Sequence, residues 1–284
     1  MWNLNYSSIS EIEKVLSSHS LAMTKKFGQN FLVSPDARER IVSLIAPGEG
    51  MDIWEVGPGL GAITHLLLKR GAHVTAFEID HGFASILRDE AFADEDFTLI
   101  EGDALETLFT LPPVFSVIVG NLPYNVGSQI IARVIERGLL PEKMVFTLQK
   151  EVASRMAAMP GSADYSSFSV LTQLDYVNST AFILKPGAFH PQPNVDSAVV
   201  MMKKRETPLI EDKDRSFFLA MVRALFSQRR KTIKNNLLSS PLFSSEGKER
   251  IEKALQNAAL TGSERAETLS FETLINLMRA LQRL

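Results

Sequence analysis

The chain has 284 residues, 45% hydrophobic and 22% charged, with a net charge of −3. That is enough apolar material for one sizeable core and a smaller one, in an ordinary soluble composition. The absence of cysteine excludes disulfides, thiolate zinc sites and a cysteine nucleophile, and the slight acidity means that any nucleic-acid role must rest on local basic patches.

The N-terminus, "MWNLNYSSISEIEKVLSSHS", lacks a cationic start followed by an apolar block, so it does not read as a signal peptide. Residues 1–24 read as a leader of open role. No apolar run is long enough to span a bilayer, and the cytoplasm is the expected location. The five histidines (His19, His65, His73, His81, His190) form no pair at metal-ligand spacing, so no metal is expected.

From residue 51 to 205, short β-rich runs alternate with helical segments. "MDIWEV", "HVTAFEI", "FTLIEG", "PVFSVIVG" and "KMVFTLQ" read as strands. "AITHLLLKR", "HGFASILRDEAF", "SQIIARVIERG" and "KEVASRMAAM" read as helices. This order predicts an α/β, Rossmann-like doubly wound sheet. "FSVLTQLDYVNSTAFIL" (168–184) and "DSAVVMMKKR" (196–205) read as strands joined by the turn-rich "KPGAFHPQPNV", with no helix between them, which predicts an antiparallel edge hairpin. The polar stretch 205–214 reads as a linker, and "SFFLAMVRALFSQRRKTIKNNLL", "SEGKERIEKALQNA" and "SFETLINLMRALQRL" beyond it all carry helical periodicity. The expected domains are therefore 1–207 and a small all-α domain, 208–284.

"EVGPGLGAIT" (55–64) joins the first strand to the first helix with glycines at 57, 59 and 61. This is G-x-G-x-G, not the dinucleotide G-x-G-x-x-G. A pyrophosphate needs a row of backbone N–H donors, and Pro58 removes one. A nucleoside ligand without phosphates, such as S-adenosylmethionine, fits better. Alone, the glycines suit a tight strand-to-helix turn equally well. Glu78 ends the second strand, where a carboxylate accepts from both ribose hydroxyls of a nucleoside. Asp103, past the third strand, could accept from an adenine amino group, or simply cap the turn that follows. Three such residue types at three successive strand ends favour a ligand crevice, because open α/β sheets bind ligands there.

"GNLPYNVGS" (120–128) closes the fourth strand beside that crevice. Adenine N6 is a poor nucleophile because its lone pair is delocalised. It needs acceptors that hold both N–H bonds, not a strong base. The Asn121 side-chain oxygen is one such acceptor and the Leu122 carbonyl another. Pro123 keeps Leu122 out of the helical region and so directs that carbonyl, and Tyr124 can stack on the base. The competing reading is a plain turn built from Asn and Pro.

These motifs, with "KKFGQNFL" (25–32), "GDAL", "LQKEVASRM", "FHPQPNVDSAVV" and "QRRKTIKNNL", occur in an order that resembles the bacterial 16S ribosomal RNA adenine-N6,N6-dimethyltransferase family. The resemblance runs from residue 25 to about 237 and extends to "RAETLSFETLINL" (265–277). It implies S-adenosyl-L-methionine as donor. It also implies dimethylation of two adjacent adenines in the 3′-terminal hairpin loop of 16S ribosomal RNA during small-subunit biogenesis, by a monomer acting on the 30S precursor. By motif position, Asn30 and Leu32 would line the methionine end of the cofactor. Gly57 and Gly59 would contact it through the glycine loop, Glu78 would hold the ribose and Asp103 the adenine. Asn121 would lie at the point of methyl transfer, and Phe189 would stack on the target base opposite Tyr124.

Residues 215–245 hold six basic side chains and no acid: Arg215, Arg223, Arg229, Arg230, Lys231 and Lys234. A single helix would place Arg230 and Lys234 on one face. Phosphate contact is the expected role, with Lys25, Lys26 and "KKR" (203–205) as weaker candidates. Three alternatives remain. The 23S ribosomal RNA adenine dimethyltransferases of macrolide resistance share the pocket. DNA adenine-N6 methyltransferases usually carry two prolines after the Asn or Asp, where Leu122 stands first here. The chain could also act mainly as a non-catalytic assembly factor. Cysteine-dependent cytosine-C5 chemistry is excluded.

Overall fold

The computed structural model describes residues 2–21, 30–243 and 247–283. Lys25 and Lys26 therefore lie outside the described residues. The chain divides into two compact units: Met1–Ala153 with Val177–Lys204, and Ser154–Tyr176 with Arg205–Leu284.

In the first unit, β2 (Asp52–Val56), β3 (His73–Glu78), β4 (Phe97–Glu101), β5 (Val117–Asn121) and β6 (Lys143–Gln149) form the parallel part of a seven-stranded sheet. Its order is β4-β3-β2-β5-β6-β9-β7, with β7 spanning Tyr176–Leu184 and β9 spanning Ser197–Lys204. β9 runs antiparallel to β6, Thr147 opposite Val199. The edge pair expected from the sequence is thus present. A two-stranded ribbon, β1 (Phe31–Leu32) with β8 (Phe189–His190), pairs antiparallel beside it.

The central strands are buried on both faces, as a parallel sheet covered by helices requires. α2 (Pro35–Ile45) packs Ile41, Val42 and Ile45 with Ile53, Val74 and Val119. The leader is also folded: α1 (Ile9–Ser18) starts at Ser8, whose side chain accepts from the Glu11 N–H. Its Ile12 and Leu16 pack with Leu60 of the glycine loop and with Phe83 and Ile86 of α4 (His81–Ile86). α3 (Thr64–Leu68), α5 (Ala104–Thr107) and α6 (Gly127–Glu136) follow β2, β4 and β5.

The second unit departs from expectation in two places. Residues 168–175, read as strand, belong to helix α8 (Ser167–Asp175). The polar residues of "FSVLTQL" explain this. Ser169 Oγ, Thr172 Oγ1 and Gln173 Nε2 stand three and four residues apart, on one helical face. They donate to the carbonyls of Arg155 (2.6 Å) and Met156 (3.5 and 2.9 Å), closing the end of α7 (Lys150–Met156). The segment 154–176 belongs with the helical unit, Tyr165 Oη donating to the Leu269 carbonyl at 3.2 Å, where a boundary at 207/208 would assign it to the sheet. Secondly, the periodic run 216–238 is two helices, α9 (Asp212–Leu225) and α10 (Ile233–Ser239), followed by α11 (Lys248–Asn257) and α12 (Phe271–Gln282).

Candidate active site

The carboxyl ends of β2, β3, β4 and β5 open on one cavity of about 250 Å³. Among its lining residues are Asn30, Leu32, Gly57, Gly59, Glu78, Asp103 and Asn121, so the structure gathers these predicted positions in one place. Leu122, Tyr124 and Phe189 are not on that wall.

The glycine loop earns its sequence through backbone geometry. Gly59 has φ +58° and its N–H donates to Glu78 Oε2 at 3.2 Å; a Cβ there would come within 3.3 Å of the Phe31 ring. The loop therefore presents bare backbone to the cavity, a cradle that a side chain would fill. Glu78 Oε1 accepts from the Asp80 N–H at 2.9 Å. Despite both bonds, burial raises its pKa to about 7. Asp103 is the N-cap of α5, its Oδ1 accepting from the Leu105 N–H at 2.9 Å, and it also lines the cavity, so the two roles weighed for it coexist.

Asn121 is the last residue of β5. Its Nδ2 donates to the Asn30 carbonyl at 2.8 Å, and the amide oxygen is the end not used in that bond. Leu122 is 1% exposed, and its N–H donates to the Thr147 carbonyl at 3.1 Å, which ties the start of the motif to β6. Pro123 and Asn125 line the cavity. Tyr124 is half-buried and its hydroxyl is hydrogen-bonded to Ser197 Oγ, so "NLPYN" and "FHPQPNVDSAVV" meet through one side-chain bond. Phe189, 2% exposed, belongs to the hydrophobic core and is paired with Leu32 across the β1–β8 ribbon. A ring so covered has almost no surface to offer a base, and the stacking role expected for it is not supported by this arrangement.

Glu55 and Ser197 escaped the sequence reading. Glu55 also lines the cavity, 3% exposed, with Thr64 Oγ1 donating to its Oε2 at 2.6 Å. Burial, with the nearby Glu78 carboxylate, raises its pKa to about 7. The signal was available: a lone acid in the buried apolar run "DIWEV". Ser197 carried no such signal, because its contact is made 73 residues away in sequence. Two buried carboxylates held partly neutral form a site that a cationic ligand would re-ionise.

The basic candidates are separated by the fold. Arg215 Nη1 donates to both carboxylate oxygens of Asp175 at 2.6 and 2.7 Å. Lys234 Nζ meets Glu252 at 2.8 Å, and Arg229 donates to the Ala163 carbonyl. Arg230 and Lys234 do not share a helix face. Arg230 lies in the turn before α10, whose N-cap Thr232 accepts from the Asn235 N–H. Arg230 and Lys231 are exposed in that turn.

A family model described as ribosomal RNA adenine dimethylase matches residues 21–281. A Treponema denticola protein named ribosomal RNA small subunit methyltransferase A is 44% identical, over 94% of this chain and 92% of that protein. A Bacillus pumilus protein of the same name is 38% identical over 95% of each. Among solved structures, a dimethyladenosine transferase from Plasmodium falciparum superposes with a TM-score of 0.71 at 22% identity, covering 88% of this chain and 96% of that one. The 23S rRNA methyltransferase ErmE superposes with a TM-score of 0.64 at 27% identity, covering 89% of this chain and all of the other.

Proposed function

The chain belongs to the ribosomal RNA adenine dimethylase family, and on that premise we propose that it dimethylates N6 of two adjacent adenines in the 3′-terminal hairpin loop of 16S ribosomal RNA, within the 30S precursor. The observation that carries this is a cavity at four successive strand ends, lined by Gly57, Glu78, Asp103 and Asn121.

S-adenosylmethionine, when bound, supplies an electrophilic methyl group on a sulfonium. The chain's own residues do the rest. Glu78 is at the strand end where a carboxylate accepts ribose hydroxyls, and Asp103 keeps one carboxylate oxygen beyond its capping bond for an adenine amino group. Asn30 and Leu32 take the methionine end. Asn121 is oriented by its bond to the Asn30 carbonyl, which turns its amide oxygen into the acceptor for one N6 hydrogen. By motif position alone, the backbone carbonyl of Leu122, next to Asn121 in the chain, would take the other. With both N–H bonds held, the nitrogen lone pair is drawn out of the ring, and proximity supplies the remaining acceleration. Tyr124, its hydroxyl tied to Ser197, offers a fixed ring for the base. Loop adenines are partly unstacked, which lowers the cost of presenting one.

Arg230 and Lys231, exposed in a turn free of acids, are the best-supported phosphate contacts. Lys234 and Arg229 have protein partners and rank below them. Among the described residues no helix is long and apolar enough to cross a membrane, and the cytoplasm, where ribosomal subunits mature, is the proposed location.

The names of the curated relatives favour the small subunit over the 23S substrate of ErmE. Tritiated-methyl transfer tests this. Unmethylated 30S particles are expected to take up label and protein-free 23S RNA to stay unlabelled; the reverse pattern would reassign the substrate.

A further inference from the structure

Residues 2–18 precede every motif that marked the site, yet two of their side chains form its wall. Tyr6 and Ile12, 7% and 1% exposed, line the same cavity as Leu32, Glu55 and Glu78. The attachment is specific. Arg38 of α2 is 7% exposed, and its Nη1 donates to the Tyr6 carbonyl at 3.0 Å and to the Leu32 carbonyl at 2.9 Å. Its Nη2 donates to Ser7 Oγ at 2.9 Å. A buried guanidinium holds its place only when its donors are met, so one side chain binds the leader to β1. Trp2 adds a second tie: its backbone N–H donates to the Ala91 carbonyl at 3.0 Å, and its indole Nε1–H donates to the Tyr6 hydroxyl at 2.9 Å. His19, just past α1, meets Glu90 at 2.6 Å.

The chemistry of the Tyr6 hydroxyl follows. Having accepted the Trp2 hydrogen, it keeps its own proton to donate. Burial pushes its pKa well above the ordinary phenol value, so it remains a donor throughout the physiological range. Leu32, held by the same guanidinium nitrogen, is one of the two residues assigned to the methionine end of the cofactor. Resting on that assignment, we propose that Tyr6 is a cofactor-binding residue whose hydroxyl donates to the carboxylate of the methionine moiety, with the leader a structural part of that subsite.

Calorimetric binding of two thioether ligands tests the proposal without catalysis. S-adenosylhomocysteine carries the amino-acid carboxylate; 5′-methylthioadenosine has the same nucleoside and lacks it. Tyr6→Phe is expected to lose about tenfold or more in affinity for the first, the cost of a hydrogen bond to a charged group, and to keep wild-type affinity for the second. Trp2→Phe, which removes only the orienting bond, is expected to lose less and in the same selective way. It carries the comparison should Tyr6→Phe fail to fold. Wild-type affinity of Tyr6→Phe for both ligands, or equal losses for both, would overturn the role of Tyr6. Failure of the wild-type protein to bind S-adenosylhomocysteine would instead strike the cofactor assignment on which the role rests.

Discussion

Glu55 and Glu78 share a cavity with no cationic side chain among its described lining residues, and burial raises each pKa to about 7. For Glu55 the ordinary value is 4.5, so between that pH and about 7 the folded chain binds more protons than the unfolded one. Stability attributable to this group therefore falls as pH rises through that window. Glu55→Gln removes the loss while keeping an acceptor for Thr64. At pH 8 the variant is expected to be more stable by on the order of 2 kcal/mol, and near pH 4 to differ little, as thermal melts at the two pH values will measure. Asn121 presents the opposite case, a residue proposed above to act in the chemistry. Asn121→Ala is expected to lower methyl transfer at least about a hundredfold, the scale of removing one preorganised polar group, with a melting temperature near wild type. Turnover close to wild type would remove Asn121 from the reaction. Glu78, Asp103 and Asn121 could be placed on one crevice from the sequence because each stands at the end of a predicted strand, although a cap or a turn would explain Asp103 and Asn121 singly. Tyr6 was not, because its spacing to Arg38 is 32 residues and nothing local encodes the contact.

At the scale of elements, the glycine loop tolerates little change. Gly61 has φ +85°, and a Cβ there would come within 2.5 Å of the Phe92 ring. Gly61→Ala therefore meets both a left-handed backbone penalty and overpacking, together about 2–4 kcal/mol. Denaturant unfolding is expected to show that loss. The strands and the edge pair were readable from buried apolar runs, whereas α8 was not. Its polar residues serve the carbonyls at the end of α7, and that helical spacing is hidden inside an apolar run that also suits a strand. The break between α9 and α10 was missed for a related reason. Helical periodicity continues across it, and only the Thr232 cap marks the new start. The break leaves Arg230 and Lys231 in an exposed turn. Reversing both, Arg230→Glu with Lys231→Glu, is expected to weaken RNA binding and lower its salt dependence by about two counterions, with S-adenosylhomocysteine affinity unchanged. An unaltered salt slope would exclude the turn from the interface.

For the whole molecule, the division of labour follows the chain. One unit carries the sheet with α1 to α6, the folded leader and the cavity; the other carries α8 to α12 and the basic turn. A net charge of −3 leaves RNA attraction to such local features, with no general basic surface to supply it. The alternation of strands and helices gave away the sheet unit, but not the membership of residues 154–176 in the other, since that depends on tertiary hydrogen bonds such as Tyr165 to the Leu269 carbonyl and Arg215 to Asp175. The central claim is that the crevice holds N6 of adenine and serves two neighbouring adenines in turn. Mass-spectrometric mapping of 16S ribosomal RNA from unmethylated 30S particles, after reaction with the protein and S-adenosylmethionine, tests it most directly. The expected product is N6,N6-dimethyladenine at two adjacent positions of the 3′-terminal hairpin loop. Methyl groups at another base atom, or at adenines elsewhere in the RNA, would contradict the account.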